Sequence, residues 1–275
     1  MNAIAIFEAL AALCALVAAV FIFDQHLNRP RPHKLLWSLG LLFYAIAAAA
    51  AFAGAASHWT VADYKIWYFF GGVMTAAYLG LGTLYLLGPR RVGHIATAIA
   101  VIISVYAALR ILTYSVPAAT AAQLATSSTN TVTAVGNFSV FAPTTHSPTV
   151  LDVRLAAIIM SISGSLLLFG GAAWSAWQFW RKHAPGYRLL SMCLLALGAL
   201  FPSILTGAVA LGYSSAAALG EFLGAVCLLA GLLISLDVFT VFRIPFTHIV
   251  LRERRQQPTS PSVTTAPVMK QQEGR

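Results

Sequence analysis

Long apolar runs dominate the chain, and short polar stretches separate them. Seven of these runs are long enough to form membrane-crossing helices, since roughly 20 apolar residues cross about 30 Å of hydrocarbon. The runs are Ala3–Phe23, Leu35–Ser57, Ile66–Gly88, His94–Ser115, Leu155–Trp180, Leu189–Leu211 and Ala216–Phe242. The pattern predicts an all-α, polytopic membrane protein with seven transmembrane helices in residues 1–242 and a tail in residues 243–275.

Basic residues fall in alternate connections between the runs, which indicates the orientation. The first, third and fifth connections and the tail carry most of them: Arg29, Arg31, Lys34, Arg90, Arg91, Arg181, Lys182, Arg188, Arg243, Arg252, Arg254 and Arg255. Cytoplasmic loops carry an excess of Lys and Arg, so the N-terminus is expected outside and the tail inside. The Ala-rich, Lys-poor composition favours a bacterial chain, and we expect it in the cytoplasmic membrane.

Composition agrees with a lipid environment. Apolar residues make up 59% of the chain and charged residues 9%, against roughly 45–50% and 25% in soluble proteins. The net charge is +9, and the Lys and Arg residues that produce it lie mostly between the apolar runs. Their positions indicate membrane topology rather than nucleic-acid binding. The expected partners are the lipid bilayer and, through the basic loops and tail, a membrane or cytoplasmic protein.

The outer connection over residues 116–153 is long and contains two β-prone stretches. Residues 131–135 and 138–141 flank Gly136 and Asn137, a dipeptide suited to a two-residue turn. A short extracellular hairpin and a disordered loop both fit this segment, because an isolated hairpin is marginal in water. The far part of the tail is polar and lacks periodicity, which is typical of disorder.

Ionisable residues at membrane depth are the candidate site. Glu8, Arg110 and Glu221 each lie one to two turns inside the outer boundary, and such residues usually face a bundle interior. Tyr114 follows Arg110 on the same helical face. The set predicts an outward-facing polar pocket in which Arg110 recognises an anionic or polar group. An ion pair that only locks three helices together is the alternative.

Enzymatic motifs are missing from the sequence. It contains no G-x-S-x-G, H-E-x-x-H or phosphate-binding loop, and the last apolar run has no lysine to hold retinal. No catalytic residue, metal ligand or cofactor is assigned, and an intramembrane enzyme is disfavoured. The leading hypothesis is a non-enzymatic ligand-binding or sensory module, or an accessory membrane subunit.

A weak internal likeness supports an alternative function. The second and sixth runs open similarly, with Lys34-Leu35-Leu36 beside Arg188-Leu189-Leu190, and the third and seventh share a looser resemblance. This predicts three helices, a linker helix and three further helices. Repeats of this kind occur in small transporters, so the alternative is a carrier of a polar solute.

Overall fold

The computed structural model describes residues 3–116, 148–181, 186–209, 216–235, 241–243 and 250–253. The helices are α1 (Ala3–Asn28), α2 (Pro32–Ala56), α3 (Val61–Trp67), a π-helix (Tyr68–Thr75), α4 (Ala76–Leu87), α5 (Arg90–Thr113), α6 (Pro148–Arg181), α7 (Gly186–Val209) and α8 (Ala216–Ser235). The strands are β1 (Val241–Arg243) and β2 (Val250–Glu253).

Five helices in the described ranges are long and apolar enough to cross a bilayer. They are Ala3–Asn28, Pro32–Ala56, Val61–Leu87, Arg90–Thr113 and Val153–Gln178. Large apolar side chains cover their outer surfaces, with Leu112 74% exposed and Ile102 68% exposed. Water would strongly disfavour so much exposed apolar surface. By length and composition, the chain is a helical, multi-pass membrane protein.

Local sequence signals set several helix boundaries. Pro32 occupies the first turn of α2, where its missing N–H is not needed. Thr60 and Asp63 form a capping box at the start of α3, with the Asp63 N–H donating to Thr60 Oγ1 over 3.1 Å. This box begins the third helix at Val61, five residues before the predicted start at Ile66. The apolar pattern missed that turn because the charged residues Asp63 and Lys65 interrupt it.

The π-helix joins α3 and α4 into one continuous rod. Its flanking residues, Trp67 and Ala76, keep right-handed helical backbone angles. Inside the wide turn, the Thr75 hydroxyl donates to the Phe70 carbonyl oxygen over 2.8 Å. Gly71 and Gly72 also lie in this turn. Such π-helical turns occur frequently at functional sites.

The helices form a closed ring of six rods. Going round it, α1 packs against α2, α2 against the rod of α3 and α4, α4 against α6, α6 against α7, α7 against α8, and α8 against α1. Helix α5 lies outside the ring, against α4, the π-helix and α6. The first and last helices are therefore neighbours.

Two pairs of ring helices pack in the same way, with glycine against leucine. A Cβ placed on Gly40 of α2 would come within 2.8 Å of Leu79 Cγ on α4. A Cβ placed on Gly198 of α7 would come within 2.7 Å of Leu228 Cγ on α8. In both pairs, the glycine allows the partner helix to approach so closely that the Cβ of a larger residue would clash with the leucine.

Two further glycine contacts recur in the same two helix pairs. Between α2 and the rod, Gly82 faces Trp37 and Gly71 faces Ala47. At the corresponding places between α7 and α8, Gly231 faces Leu195 and Gly220 faces Leu205. Along the chain, the three contacts have the same spacing in each pair. The packing of α2 on the rod of α3 and α4 therefore matches the packing of α7 on α8 at these three glycine contacts.

The end of the chain departs from the predicted boundaries. Helix α8 is described as far as Ser235. Val241 and Phe242, predicted as the end of the seventh helix, lie instead in β1, which pairs antiparallel with β2 in the predicted tail. Val241 and Phe242 are β-branched and aromatic, types enriched in strands, and this preference was overlooked in an apolar run. The hairpin predicted in residues 131–141 lies outside the described residues.

Candidate functional site

A cavity of about 350 Å³ lies inside the helix ring. Six helices and the π-helix contribute to its lining, and its polar side chains come from opposite sides of the ring. The lining includes Tyr44, Ala47, Trp67, Gly71, Gly72, Thr75, Ala76, Leu79, Ser161, Ser165, Leu168, Gly198, Ala199, Pro202, Glu221 and Leu228. Its volume falls within the roughly 300–1,000 Å³ range of small-molecule sites.

The structure brings two of the predicted site residues together at this cavity. Glu8 of α1 and Glu221 of α8 are neighbours, and their carboxyl groups face each other. The rings of Phe7 and Phe222, next to them in sequence, stack with their centroids 5.8 Å apart. Each glutamate lies five residues after the first residue of its helix, so parallel packing of the two helices places them at the same level.

The two carboxyl groups differ in their access to the cavity. Glu8 is completely buried, and neither of its carboxyl oxygens has a hydrogen-bond partner in the part of the chain that the structure describes. Glu221 lines the cavity. A carboxylate can only accept hydrogen bonds, so two facing carboxylates repel unless a proton or another cation lies between them. The pair is therefore a site of unbalanced negative charge beside the cavity.

Tyr44 connects this pair to α2, the other ring neighbour of α1. Its hydroxyl donates to the main-chain oxygen of Glu221 over 2.6 Å, which ties α2 to α8. Tyr44 also lines the cavity. Tyr44 therefore both joins two helices and lines the cavity.

The other two predicted site residues lie elsewhere. The Arg110 guanidinium lies over the Tyr106 ring, 6.0 Å from its centroid, on α5. Tyr114 packs in an aromatic cluster with Trp59 and Tyr64. Helix α5 packs against α4, the π-helix and α6, whereas Glu8 and Glu221 belong to α1 and α8. The predicted grouping of Arg110 with both glutamates is not formed, because equal depth does not put helices on the same side of a ring.

Several lining residues were not predicted as site residues. Trp67 and Gly72 come from the π-helical rod, and Ser161 and Ser165 lie one turn apart on α6. The serine spacing was visible in the sequence, since residues four apart share a helical face. The π-helical turn had no signal beyond its glycine pair.

Comparisons of the chain with protein-family models, with curated proteins and with solved structures give no match. By length and composition, the chain is a helical, multi-pass membrane protein, and its ring of helices encloses a largely apolar cavity that contains one carboxyl group and several hydroxyls.

Proposed function

We propose that this protein is a non-enzymatic, ligand-binding membrane module whose central cavity takes a small polar solute. The observation that carries the proposal is the cavity itself, which combines Glu221, Tyr44 and the hydroxyls of Thr75, Ser161 and Ser165 in an apolar bundle. Polar groups in lipid are costly and usually serve a site. This cavity replaces the pocket that we predicted around Arg110.

The proposed module crosses the cytoplasmic membrane seven times, with its N-terminus outside. Two segments supplement the five spanning helices: Cys193–Pro202 and Ala218–Ile234 are apolar but shorter. The basic connections assign the side of each helix end. Binding would be reported to a membrane or cytoplasmic partner through the basic loops and tail.

Filling the cavity tests the proposal. A Cβ on Gly72 meets nothing within 4 Å, and Gly72 lines the cavity, so Gly72→Leu should occupy ligand space without a backbone clash. Gly170→Leu is the matched control, because a Cβ there also meets nothing within 4 Å but Gly170 is exposed on α6. Both substitutions place the same side chain in a helical rod.

Native mass spectrometry of gently extracted protein provides the readout. The wild-type protein and Gly170→Leu should retain a bound small molecule, and Gly72→Leu should lose it. A bare wild-type mass, or the same bound mass on all three proteins, would contradict the proposal.

The second candidate function is a carrier of a polar solute, and the matching glycine contacts favour it. They relate α2 to α7 and the rod of α3 and α4 to α8, as expected for two parallel three-helix repeats with α5 as the linker. In transporters built from such repeats, the substrate site lies at the repeat interface. Proteoliposomes distinguish the two roles. Uptake of the retained molecule that Gly72→Leu abolishes supports a carrier, and binding without uptake supports a sensor.

A further inference from the structure

The carboxyl pair is too deeply buried to be an ordinary surface charge. Glu8 is 0% exposed, and no donor reaches either carboxyl oxygen from the residues that the structure places. The group that it faces, the Glu221 carboxyl, is an acceptor as well. Two such groups can share a buried site only if a proton or a cation lies between them.

The cavity beside the pair has the composition of a cation site. Among the described lining residues, Glu221 is the only charged side chain, and none is Lys, Arg or His. Trp67 and Tyr44 present aromatic rings, and cations are attracted to the faces of such rings. Ser161 and Ser165 add hydroxyl oxygens that accept hydrogen bonds from an ammonium group.

We infer that the cavity binds a small organic cation, whose ammonium group occupies the Glu8–Glu221 carboxyl pair in exchange for a proton. This inference rests on the proposed function and names the chemical class of its solute. In the empty site, one proton is shared by the two carboxyl groups. When the cation binds, that proton leaves to water, so the net charge of the buried site does not change.

The proton exchange makes binding depend on pH. The other titratable side chains that interact at this point are Tyr44 on α2 and Cys14 on α1. Phenols and thiols ordinarily stay neutral near pH 7, so the carboxyl pair is the group that exchanges the proton. Because protons compete with the cation, binding strengthens as pH rises.

Thiol labelling with charged reagents tests the inference in the full-length chain. Cys14, Cys193 and Cys227 are replaced by alanine, and Ser165→Cys places one thiol in the cavity. Labelling rates are then compared for the ammonioethyl, sulfonatoethyl and neutral methyl methanethiosulfonates, each divided by its rate with a free thiol. Ser163→Cys is the control, because Ser163 is exposed on the same helix and does not line the cavity.

The ammonium reagent should label Ser165→Cys at least tenfold faster than the sulfonate, a factor that corresponds to about 1.4 kcal/mol. The preference should grow between pH 5.5 and pH 8 and be absent at Ser163→Cys. Glu221→Gln should abolish it, and Glu8→Gln should remove its pH dependence. Both substitutions keep the shape of the side chain, and the neutral reagent shows that each variant retains its cavity.

Equal rates for the two charged reagents, with fast neutral labelling, would overturn the cation inference and leave the proposed function intact. Protection of Ser165→Cys by sodium or potassium ions but not by ethylammonium would also overturn it. Loss of the ligand-retention difference between Gly72→Leu and Gly170→Leu would instead contradict the proposed function.

Discussion

Replacing Glu8 by glutamine should stabilise the protein near neutral pH. The Glu8 carboxyl is fully buried, has no donor within the described residues and faces a second carboxyl. A glutamine amide supplies an N–H donor that needs no shared proton. Glu8→Gln therefore replaces a contact that must hold a proton with an amide–carboxylate hydrogen bond, without changing the volume of the side chain.

The size of this gain follows from the shared proton. A free glutamate ionises near pH 4.3, and holding one extra proton in the folded state costs about 1.4 kcal/mol for each pH unit above that value. At pH 7 the full cost is about 3–4 kcal/mol. In the unfolded state in detergent, the Glu8 side chain is still partly shielded from water. We therefore expect Glu8→Gln to gain about half of the full cost, roughly 2 kcal/mol.

The sign of the pH effect follows from the number of protons bound in the folded and unfolded states. The folded wild-type protein holds one proton more than the unfolded chain, so its stability falls as pH rises from about 4.3 towards 8. Glu8→Gln removes this dependence. Its advantage should be largest at pH 8 and nearly absent at pH 5.

Thermal unfolding in detergent, followed by tryptophan fluorescence, measures the effect. A gain of about 2 kcal/mol corresponds to a rise in Tm of roughly 4–8 °C for a chain of this size. Asp24→Asn is the control, because it removes a carboxylate from the far end of the same helix. An unchanged or lower Tm for Glu8→Gln at pH 8, or an equal rise for Asp24→Asn, would refute the reasoning.

Three further substitutions probe the frame around the cavity. Gly164→Ala should lower Tm by several degrees, because its Cβ would meet the backbone of Ala76. Gly170→Ala is the control and should leave Tm unchanged or slightly higher. Equal Tm values for the two variants would count against the close contact between α6 and α4. Tyr44→Phe loses an interhelical hydrogen bond of 2.6 Å and should cost about 0.6–1.7 kcal/mol in a denaturant titration, and no loss would show that the bond is absent in solution. Thr60→Ala removes a capping box and should cost about 1 kcal/mol, whereas Thr60→Ser should restore the wild-type stability.

The helices were predictable from the sequence because each is a long apolar run bounded by recognisable residues. Pro32 and Pro89 mark the starts of α2 and α5, as the fixed backbone angle of proline predicts. The number of spans stays a prediction, since the structure supports five helices by length and composition. The first turns of α3 escaped the apolar pattern, because they are held by the polar capping residues Thr60 and Asp63.

Position along each helix was predictable, and position around the ring was not. Glu8 and Glu221 lie equally far from the first residues of their helices, and the structure shows them as neighbours. Arg110 was predicted at their level but belongs to α5, which lies outside the ring. Counting residues gives height along a helix, but the neighbours of a helix depend on packing around the whole bundle.

The cavity itself was not predictable for a related reason. Its lining comes from side chains that each have an ordinary structural explanation, such as Ser161, Ser165 and Tyr44. Only the closed ring brings them to one space. The π-helical turn at Gly71 and Gly72 widens the rod there, and its distinctive backbone has no simple residue code.

Closure of the ring by its first and last helices has a consequence for synthesis. Among the described helices, α1 leaves the ribosome first, yet one of its two ring neighbours, α8, leaves it last. Throughout that interval Glu8 has no carboxyl neighbour, and the wall that α8 completes stands open to lipid. A chain truncated before α8 would expose the Glu8 carboxyl to lipid. Membrane quality control could recognise an unfinished molecule by this exposed carboxyl group.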